Sequence, residues 1–561
     1  MSESAETGKT GRFRKSGATR KTNDMETAEH SGMKRTHRVA HRRDLTYQFP
    51  VYRWLSWLVI AGFAIGLGVM YLVAGMFGIP APLGWAFLVV LFCAGIALLE
   101  RPKQLLTFMM FYFMLMPSNR LFGLLGLPLP GFLDELFFIP FIAVIVMSCI
   151  ERRELPEGRW FAVWFIALGV LSWYVNRRPS PFGMVRVTLV MLKFFILWYF
   201  CRLTCPFESI EQFWRWGKFY IYYAAAQFLY NCLWQRAPWV TVHWDNSGGV
   251  FGPDGSGGAH TVGYISILAL FLLAAWWMGP GRTSTKRRKA WMALMGVVIA
   301  YDLIFMTDTK HALLMMPLAF LPVLFHRAVP VRLRFGLLGA FGVVTLMGFL
   351  YISMFTGTTR FGKFVTTMLD TPKGDAYRAV TVDFPYLVPY PLLGAGPGMF
   401  FSQQAVDSGT PLARRYIIPY QAEAERSSLM HGGGTRTGGS LLAWPQCDVL
   451  TVMGEFGWLG MVLYFMFLVW VFFGLWEKAR KNRHDISRSM IYLVLGAGML
   501  FLWMTMFFAS TCTVPCLMFP WWMLIGRIWD MKEPQPEREG EPLLAEEEHY
   551  ARALPEISGA P

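Results

Sequence analysis

The chain has 561 residues, of which 54% are hydrophobic and only 16% are charged, and its formal net charge is +15. A soluble chain of this length would divide into several domains with a much larger share of charged residues. The composition therefore excludes an ordinary soluble protein. Repeated apolar runs of about 20 residues, the length needed to cross a hydrocarbon core, predict an all-α integral membrane protein.

The two ends of the chain are polar. Residues 1–50 are basic and rich in Ser, Thr and Gly, with no apolar stretch of the kind that forms the core of a signal peptide. We expect them to form a disordered cytosolic tail. Residues 531–561 are acidic and rich in Pro. This composition cannot bury enough apolar surface to fold, so it predicts a second disordered cytosolic tail.

Apolar runs between the tails predict about fourteen transmembrane helices. About eleven of them form an N-terminal bundle within 51–355, and the rest lie within 448–530. The predicted segments are 54–77, 83–99, 104–117, 133–150, 160–175, 182–200, 217–234, 260–279, 290–306, 311–326, 335–355, 448–473, 488–510 and 512–529.

Four short loops carry the densest positive charge. They are ERRELPEGR (151–159), GRTSTKRRK (281–289), HRAVPVRLR (326–334) and EKARKNRHDISR (477–488). Alternating the predicted spans places all four on one side, which the positive-inside rule identifies as the cytosol. Both termini are then cytosolic. The basic balance is thus a signal of topology and does not indicate a nucleic-acid partner.

Some positive residues fall on the opposite, outer side. Arg177 and Arg178 follow one predicted span, and Lys310 lies between two others. Positive charge outside works against the topological bias. We therefore predict that these three residues bind an anion. The alternative is that one weak span is miscounted, which would place this charge on the other side.

The longest connection, residues 356–447, is predicted to be external. A segment of this length between membrane helices usually forms a functional loop or a small domain. It combines Tyr residues with Arg378, Arg414 and Arg415. Tyr rings stack on sugars, and the guanidinium fork matches phosphate oxygens. The alternative is an interfacial aromatic belt accompanied by solvated charge.

Metal ions and cofactors are not predicted. A second outer loop carries His and Asp residues, but none has the spacing of a preformed ligand set, so contacts with substrate are favoured over metal binding.

Cys512 and Cys516 are predicted near the outer face, where a disulfide is an alternative to two buried thiols. The glycine-rich stretch HGGGTRTGG (431–439) lacks the ending of a phosphate-binding loop and is interpreted as a mobile flap.

Four pieces occur in order along the second half of the chain: GVFGP before a helix, TDTKHALL between two helices, PLLGAGPGMFF in the long loop, and QCDVLTVMGEFGWLG where the chain re-enters the membrane. This order resembles the O-antigen ligase and O-antigen polymerase superfamily of bacterial membrane glycosyltransferases. The resemblance covers roughly residues 245–475.

That family transfers a glycan from an undecaprenyl-diphosphate carrier to an acceptor sugar, on the outer face of the bacterial inner membrane. The resemblance implies polymerisation or ligation of a lipid-diphosphate-linked glycan without metal or nucleotide. The partners would be the undecaprenyl-diphosphate-linked glycan, an acceptor glycan or glycolipid, and membrane lipid. Outer-face arginines would hold the diphosphate, and a histidine would activate the acceptor hydroxyl.

The chain departs from the family pattern at its final re-entry, which usually begins His-Asn-x-x-Leu and continues with Glu-x-Gly. Leu450, Glu455 and Gly457 match, but Gln446 stands at the His position and Cys447 at the Asn position. Glutamine has no group that titrates near neutral pH, so it cannot act as a general base.

A replacement base is therefore expected. The favoured candidates are Asp448 and His431, ahead of Glu423, Glu425 and His260. Asp448 has the best position, and His431 has the best chemistry because an imidazole titrates near neutral pH. For Asp448 the alternative is an acid of the first helical turn that only faces the helix dipole.

Three other positions of the pattern also have expected roles. Gln446 is expected to contact substrate. Lys310 stands where the family usually has Arg, and it would neutralise a phosphate as a point charge rather than as a fork. Glu455, about two turns into the last re-entry, is expected to pair with a basic group in the bundle or to join a polar network.

Two functions other than transfer remain open. A flippase or other transporter of lipid-linked glycans would also use many spans and outer cations, but it is expected to show an internal repeat and charged residues at mid-membrane. No clear repeat is present in the sequence, which favours the enzyme. A family member that binds glycan lipid without catalysis is the second alternative, because the histidine is lost.

Overall fold

The computed structural model describes residues 101–115, 138–152, 157–176, 180–233, 248, 258–307, 309–326, 329, 331–356, 372–419 and 446–531. Every regular element in these ranges is helical, and they contain no β-strand. The predicted all-α class is therefore confirmed. The predicted segments 54–77 and 83–99, the tails 1–50 and 532–561, and the glycine-rich stretch 431–439 lie outside the described residues.

Helices α1–α9 precede the long loop, α10–α13 lie within it, and α14–α16 follow it. Their bounds are α1 Pro102–Leu115, α2 Ile139–Arg152, α3 Arg159–Asn176, α4 Pro181–Thr204, α5 Ile210–Leu233, α6 Gly258–Met278, α7 Lys286–Tyr301, α8 Lys310–Phe325, α9 Val331–Thr356, α10 Pro372–Thr381, α11 Phe384–Leu387, α12 Gln403–Asp407, α13 Pro411–Tyr416, α14 Asp448–Lys481, α15 Ile486–Thr505 and α16 Pro515–Trp529. A π-helical turn, Asp302–Met306, extends α7, and a 3-10 turn, Thr511–Thr513, precedes α16.

Several of these helices can cross a membrane. Among the described residues, five are long and apolar enough: α4, residues 260–278 of α6, α7 with its π-helical turn, α14 and α15. Shorter apolar helices lie within α2, α8 and α9. These helices are those expected of an all-helical membrane protein. The count of about fourteen spans and the sidedness of the chain remain predictions.

Charged and aromatic contacts join several helix ends at one end of the bundle. Arg202, near the end of α4, forms ion pairs with Asp530, just after α16, at 2.8 Å, and with Glu157, just before α3, at 3.2 Å. The ring of His326, just after α8, lies 5.0 Å from the ring of Trp476 in the last part of α14.

Close packing at two glycines places the remaining basic loops at the same end of the bundle. A Cβ atom on Gly279, just after α6, would lie 2.8 Å from the hydroxyl of Ser487, at the start of α15. A Cβ atom on Gly158 would lie 2.9 Å from the ring of Trp470. The described parts of all four basic loops therefore lie at the same end of the bundle, which we call the basic end.

The segment 372–419 packs on the opposite end, which we call the loop end. The amide of Asn176, at the end of α3, donates to the carbonyl of Gly394 at 3.1 Å. The hydroxyl of Tyr377 on α10 donates to the carbonyl of Phe507, just after α15, at 2.7 Å. The loop thus rests on helix ends and does not extend freely away from them.

Aromatic side chains and small residues hold the bundle together. The ring of Phe161 on α3 stacks on Phe467 of α14, with centroids 4.4 Å apart. A Cβ atom on Gly526 of α16 would meet the backbone of Trp198 on α4 at about 3 Å, so glycine allows these two helices to approach closely. Such packing is needed because lipid removes most of the hydrophobic force between membrane helices.

Helix α14 is folded at Gly457, whose φ of 73° and ψ of −171° are not helical. A straight helix would separate the Cα atoms of Asp448 and Tyr464 by about 24 Å. Yet Cys512 reaches both residues: its N–H donates to Asp448 at 2.8 Å, and its sulfur lies 3.2 Å from the Tyr464 hydroxyl. Residues 448–456 therefore form a short re-entrant half-helix that returns toward the bundle. Residues 458–481 form the long arm.

Candidate functional site

The loop is fixed to the fold of α14 through Glu455. This side chain is fully buried, and its carboxylate accepts hydrogen bonds from the backbone N–H groups of Gly398 at 2.7 Å, Phe400 at 3.3 Å and Ser402 at 2.8 Å. No ion pair involves Glu455 among the described residues. Of the two roles expected for Glu455, the polar network is therefore the one present, and loop amides supply the positive ends of three dipoles.

The loop also completes the backbone hydrogen bonding that the fold in α14 interrupts. A break in a membrane helix leaves N–H and C=O groups that lipid cannot satisfy. Here backbone groups of residues 391–396 take their place. The bonds are Ala395 N–H to Gly454 O at 2.9 Å, Gly396 N–H to Glu455 O at 3.2 Å, Trp458 N–H to Pro391 O at 3.3 Å and Leu459 N–H to Leu392 O at 3.2 Å.

Asp448 lies at the tip of the re-entrant half-helix and is fully buried. Its Oδ2 atom accepts hydrogen bonds from the Thr511 hydroxyl and from the Cys512 N–H, both at 2.8 Å. Its Oδ1 atom is buried and has no hydrogen-bond partner among the described residues. Asp448 therefore lies in the first turn of the helix, as the sequence predicts. Its Oδ1 atom can accept a further hydrogen bond.

Lys373 reaches into the bundle from α10 and is almost completely buried. Its ammonium group donates to the carbonyl of Phe508, in the turn after α15. Burial lowers the pKa of Lys373 to about 8, and the negative charges of Cys447 and Asp448, when present, oppose that shift. The loop therefore places a cation with an unusually low pKa beside the tip of the half-helix.

Cys447 and Tyr377 occupy the space next to Lys373. The Tyr377 hydroxyl donates to Phe507 O and lies 3.3 Å from the Cys447 sulfur, so the thiol is the donor in that contact. Burial raises the pKa of Cys447, and it also raises the pKa of Tyr377. Both groups are therefore neutral at physiological pH, and Asp448 is the acidic group of this region.

Two histidines from neighbouring helices adjoin the same region. The Nε2 atom of His311 on α8 lies 2.7 Å from the Tyr264 hydroxyl on α6, and its ring lies 5.6 Å from the ring of His260. The ring of His311 also stacks on the ring of Phe508, with centroids 5.6 Å apart. Phe508 thus contacts His311 through its ring and Lys373 through its carbonyl. We call the whole set the loop-end polar cluster: Tyr264, His260, His311, Lys373, Tyr377, Cys447 and Asp448.

The predicted residues nearest this cluster are Gln446 and Lys310. Gln446 is buried just before the half-helix, two residues from Asp448. Lys310 begins α8 and directly precedes His311, which places its backbone at the border of the cluster. The side chain of Lys310 is outside the described atoms, so its proposed contact with an anion remains a prediction.

The predicted arginines lie elsewhere in the loop or outside the described residues. The side chain of Arg378 on α10 is 71% exposed and lies 3.6 Å from the carboxylate of Asp383. Arg414 and Arg415 are exposed on α13, where the guanidinium of Arg415 lies over the ring of Tyr416 at 5.3 Å. Their role in anion binding remains a prediction. Arg177, Arg178 and the candidate base His431 lie outside the described residues.

Two members of the cluster, Lys373 and Tyr264, were not predicted from the sequence. Lys373 stands in the stretch TPKGDAYR, which is typical of an exposed polar loop. Tyr264 lies in an apolar helix, where a tyrosine usually serves as packing with a polar tip. The only local signal for Lys373 is its position one turn before Tyr377 on a short amphipathic helix, which does not by itself indicate burial.

The thiols and carboxylates near this region do not form a metal site or a disulfide among the described residues. Among the described residues, no three His, Cys, Asp or Glu side chains are grouped in a way that could hold a metal ion. Cys512 and Cys516 are both buried free thiols, so the alternative of a disulfide between them is not realised.

Two further ionisable residues are fully buried within apolar helices, Lys193 on α4 and Asp302 in the π-helical turn. Asp302 accepts hydrogen bonds from Asn231 at 3.0 Å and from Ser266 at 3.4 Å. Charged residues inside membrane helices often mark transport pathways. The burial of Lys193 and Asp302 is therefore the observation that favours a transporter as a second function to test.

No family model matches the chain, and no curated protein matches it in sequence. The function must therefore be inferred from the chemistry of the loop-end polar cluster and from the pattern of the sequence.

Proposed function

We propose that this protein is a membrane glycosyltransferase that polymerises or ligates a lipid-diphosphate-linked glycan. The donor would be an undecaprenyl-diphosphate-linked glycan, as the resemblance of the sequence implies, and the acceptor a glycan or glycolipid. The reaction would take place at the loop end, on the outer face of the bacterial inner membrane. The basic end would then face the cytosol, in accordance with the positive-inside rule.

The burial of Lys373 near Asp448 is the observation that carries this proposal. The lysine ammonium donates to Phe508 O, and the N–H of Asp448 donates to the carbonyl of the next residue, Ala509, at 3.4 Å. A loop that brings a cation into the ends of membrane helices, next to a carboxylate, provides both groups that glycosyl transfer from a diphosphate requires. The ammonium would neutralise the diphosphate, and the carboxylate would accept a proton. The N-terminus of the half-helix adds a partial positive charge at the same place.

The transfer step needs no oxidant or reductant. The acceptor hydroxyl oxygen forms a bond to the anomeric carbon, and the bond from that carbon to the diphosphate oxygen breaks. The electron pair of the broken bond leaves with the lipid diphosphate, whose developing charge Lys373 would stabilise. The hydroxyl proton would pass to Oδ1 of Asp448, because Oδ2 already accepts two hydrogen bonds.

His431 is the second candidate for the base. An imidazole needs little tuning to accept a proton near neutral pH, but this one would have to approach from the glycine-rich stretch 431–439. The buried pair of His311 and Tyr264 is better suited to shaping the polar environment, because the Nε2 atom is already engaged with the tyrosine hydroxyl.

Transfer in a defined system tests the proposal directly. The full-length protein is reconstituted into phospholipid vesicles with a lipid-diphosphate glycan and an acceptor, and the glycosylated acceptor is detected by mass spectrometry. Appearance of product that depends on Lys373 and Asp448 supports the transferase. Movement of the glycan lipid between leaflets without product indicates the transporter. Binding with neither transfer nor movement indicates the non-catalytic member.

A further inference from the structure

Four apolar side chains stand out at the surface of the loop between α10 and α12. Tyr386 on α11 is 89% exposed and Val382 is 62% exposed. Tyr390 and Leu392 are each about half exposed. A cluster of exposed aromatic and aliphatic groups within eleven residues is unusual for a loop that faces only water, and it marks a surface that binds something.

The position of this segment is fixed by the long arm of α14. Backbone N–H groups of Trp458 and Leu459 donate to the carbonyls of Pro391 and Leu392, and the indole N–H of Trp458 donates to Val380 O at 3.0 Å. The segment 380–392 is therefore held at the level where the long arm begins.

The long arm carries an apolar stripe that starts at the same level. Leu459, Val462, Met466 and Phe473 are all substantially exposed and recur at intervals of three, four and seven residues. This spacing places them on one face of the helix. Because α14 is long and apolar enough to cross a membrane, an exposed apolar face of this kind is the face that contacts lipid.

We propose that segment 380–392 is an interfacial anchor that inserts its apolar side chains into the leaflet at the loop end. The surface is covered by lipid, at the boundary between the headgroups and the acyl chains. The lipid-facing stripe of α14 continues directly onto the segment at Leu459 and Leu392. Tyr386 and Tyr390 supply the amphipathic rings that favour this boundary, and Arg378 with Asp383 supplies polar groups toward the water.

This inference is independent of the proposed function, because it requires only that α14 crosses a membrane. It has a consequence for the site, however. Segment 380–392 follows directly on α10, which carries Lys373 and Tyr377. An anchor on this segment fixes the height of α10 relative to the bilayer, and therefore the depth of the loop-end polar cluster.

Depth-dependent quenching tests the anchor. An environment-sensitive fluorescent amino acid is introduced at position 386 or 382 of the full chain, which is reconstituted into vesicles of phosphatidylcholine and phosphatidylglycerol. Position 462 on the lipid-facing stripe and position 408, at exposed Ser408 after α12, serve as the two references. Brominated phospholipid quenches fluorophores in the bilayer, and iodide quenches those in water.

We expect positions 386 and 382 to show blue-shifted emission, quenching by brominated lipid as at 462, and protection from iodide relative to 408. If both positions behave like 408, the segment faces water and the anchor is wrong. If neither quencher reaches them although both references respond, another part of the protein covers the segment, and the anchor is equally wrong. Two labelled positions guard against a local effect of either substitution.

Discussion

Gly394 of the loop and Gly457 of α14 lie backbone to backbone. A Cβ atom at either position would collide with the amide nitrogen of the other, and both residues have positive φ, 79° and 73°. The loop can therefore reach the fold in α14 only because neither residue carries a side chain. This pair is the point where the long loop and α14 are joined.

Replacing Gly394 with alanine should destabilise the protein by about 2 kcal/mol or more, because the substitution adds both a backbone collision and left-handed strain. The measurement is thermal unfolding of the purified protein in detergent. Gly339→Ala on α9 is the matched control, since a Cβ atom there would meet nothing within 4 Å. Equal unfolding temperatures for the two variants would show that the close approach is not required.

Glu455→Gln should loosen the loop while leaving α14 helical. Glutamine keeps the shape of the side chain, but its NH₂ group would face a backbone N–H that the carboxylate now accepts. Loss of one hydrogen bond to a charged group should speed amide exchange of residues 398–402 by at least about tenfold. Hydrogen–deuterium exchange followed by mass spectrometry measures this effect.

The control for that experiment is Glu477→Gln. Glu477 lies at the opposite end of α14, its side chain is 43% exposed, and within the described part of the chain its ion-pair partners are Arg480 and Lys481 of the same helix. In the Glu477→Gln variant, the amide exchange rates of residues 398–402 should equal those of the unsubstituted protein. Unchanged protection in Glu455→Gln would mean that the loop is held by its backbone contacts alone.

The helical part of this architecture could be predicted from the sequence, whereas the fold in α14 could not. Apolar runs must become helices in a membrane, since lipid offers no partner for backbone polar groups. That rule located α14 but treated residues 448–473 as one span. The stretch EFGWLG is apolar on both sides of Gly457, and glycine is common in straight membrane helices. Only the docked loop shows why glycine is required there.

The candidate site was predictable only where its residues are neighbours in the sequence. Gln446, Cys447 and Asp448 were identified together from the altered pattern at the re-entry. Lys373 comes from a segment about seventy-five residues earlier, and long-range pairing of this kind leaves no local periodicity to detect. For Glu455 the expected polar network is present, but its partners could not be named from the sequence, because they are backbone amides of Gly398, Phe400 and Ser402.

Stability should depend on pH through Lys373. Burial lowers the pKa of this lysine from 10.5 to about 8 in the folded protein. Between these values the unfolded chain binds more protons than the folded one, so stability rises as pH increases from about 8 to about 10.5. Lys373→Met removes this dependence. The variant should therefore gain stability relative to the unsubstituted protein at pH 7, and that advantage should shrink by pH 10.

Thermal unfolding of both proteins across this pH range measures the difference. Lys481→Met, at an exposed lysine of the basic end, controls for the general effect of losing one positive charge. A constant difference between Lys373→Met and the unsubstituted protein at every pH would show that Lys373 is not buried as a titrating group.

The loop end should face the cell exterior. Ser408→Cys lies at an exposed position of the loop, and Arg287→Cys lies at an exposed position of the basic end. A membrane-impermeant thiol reagent applied to intact spheroplasts should label the first variant, and the second only after permeabilisation. The reverse pattern would place the loop-end polar cluster in the cytosol and would exclude a lipid-linked glycan acting at the outer face.

Asp448→Asn should abolish most of the proposed transfer without unfolding the protein. The asparagine oxygen can take the place of Oδ2 and accept from Thr511 and Cys512, while its NH₂ group takes the place of the unpartnered Oδ1. The fold is thus preserved, and only the proton acceptor is lost. Loss of a general base typically lowers the rate by about 10²–10⁴-fold.

His431→Ala and Gln446→His complete the comparison, and Asp383→Asn in the loop is the control for loss of one negative charge. A loss of rate confined to Asp448→Asn assigns the base to Asp448, and one confined to His431→Ala assigns it to His431. If both removals leave transfer unchanged, neither residue is the base. If Gln446→His alone creates transfer in an otherwise inactive protein, the chain binds the glycan lipid without catalysing its transfer, because the missing imidazole was then the only lost component.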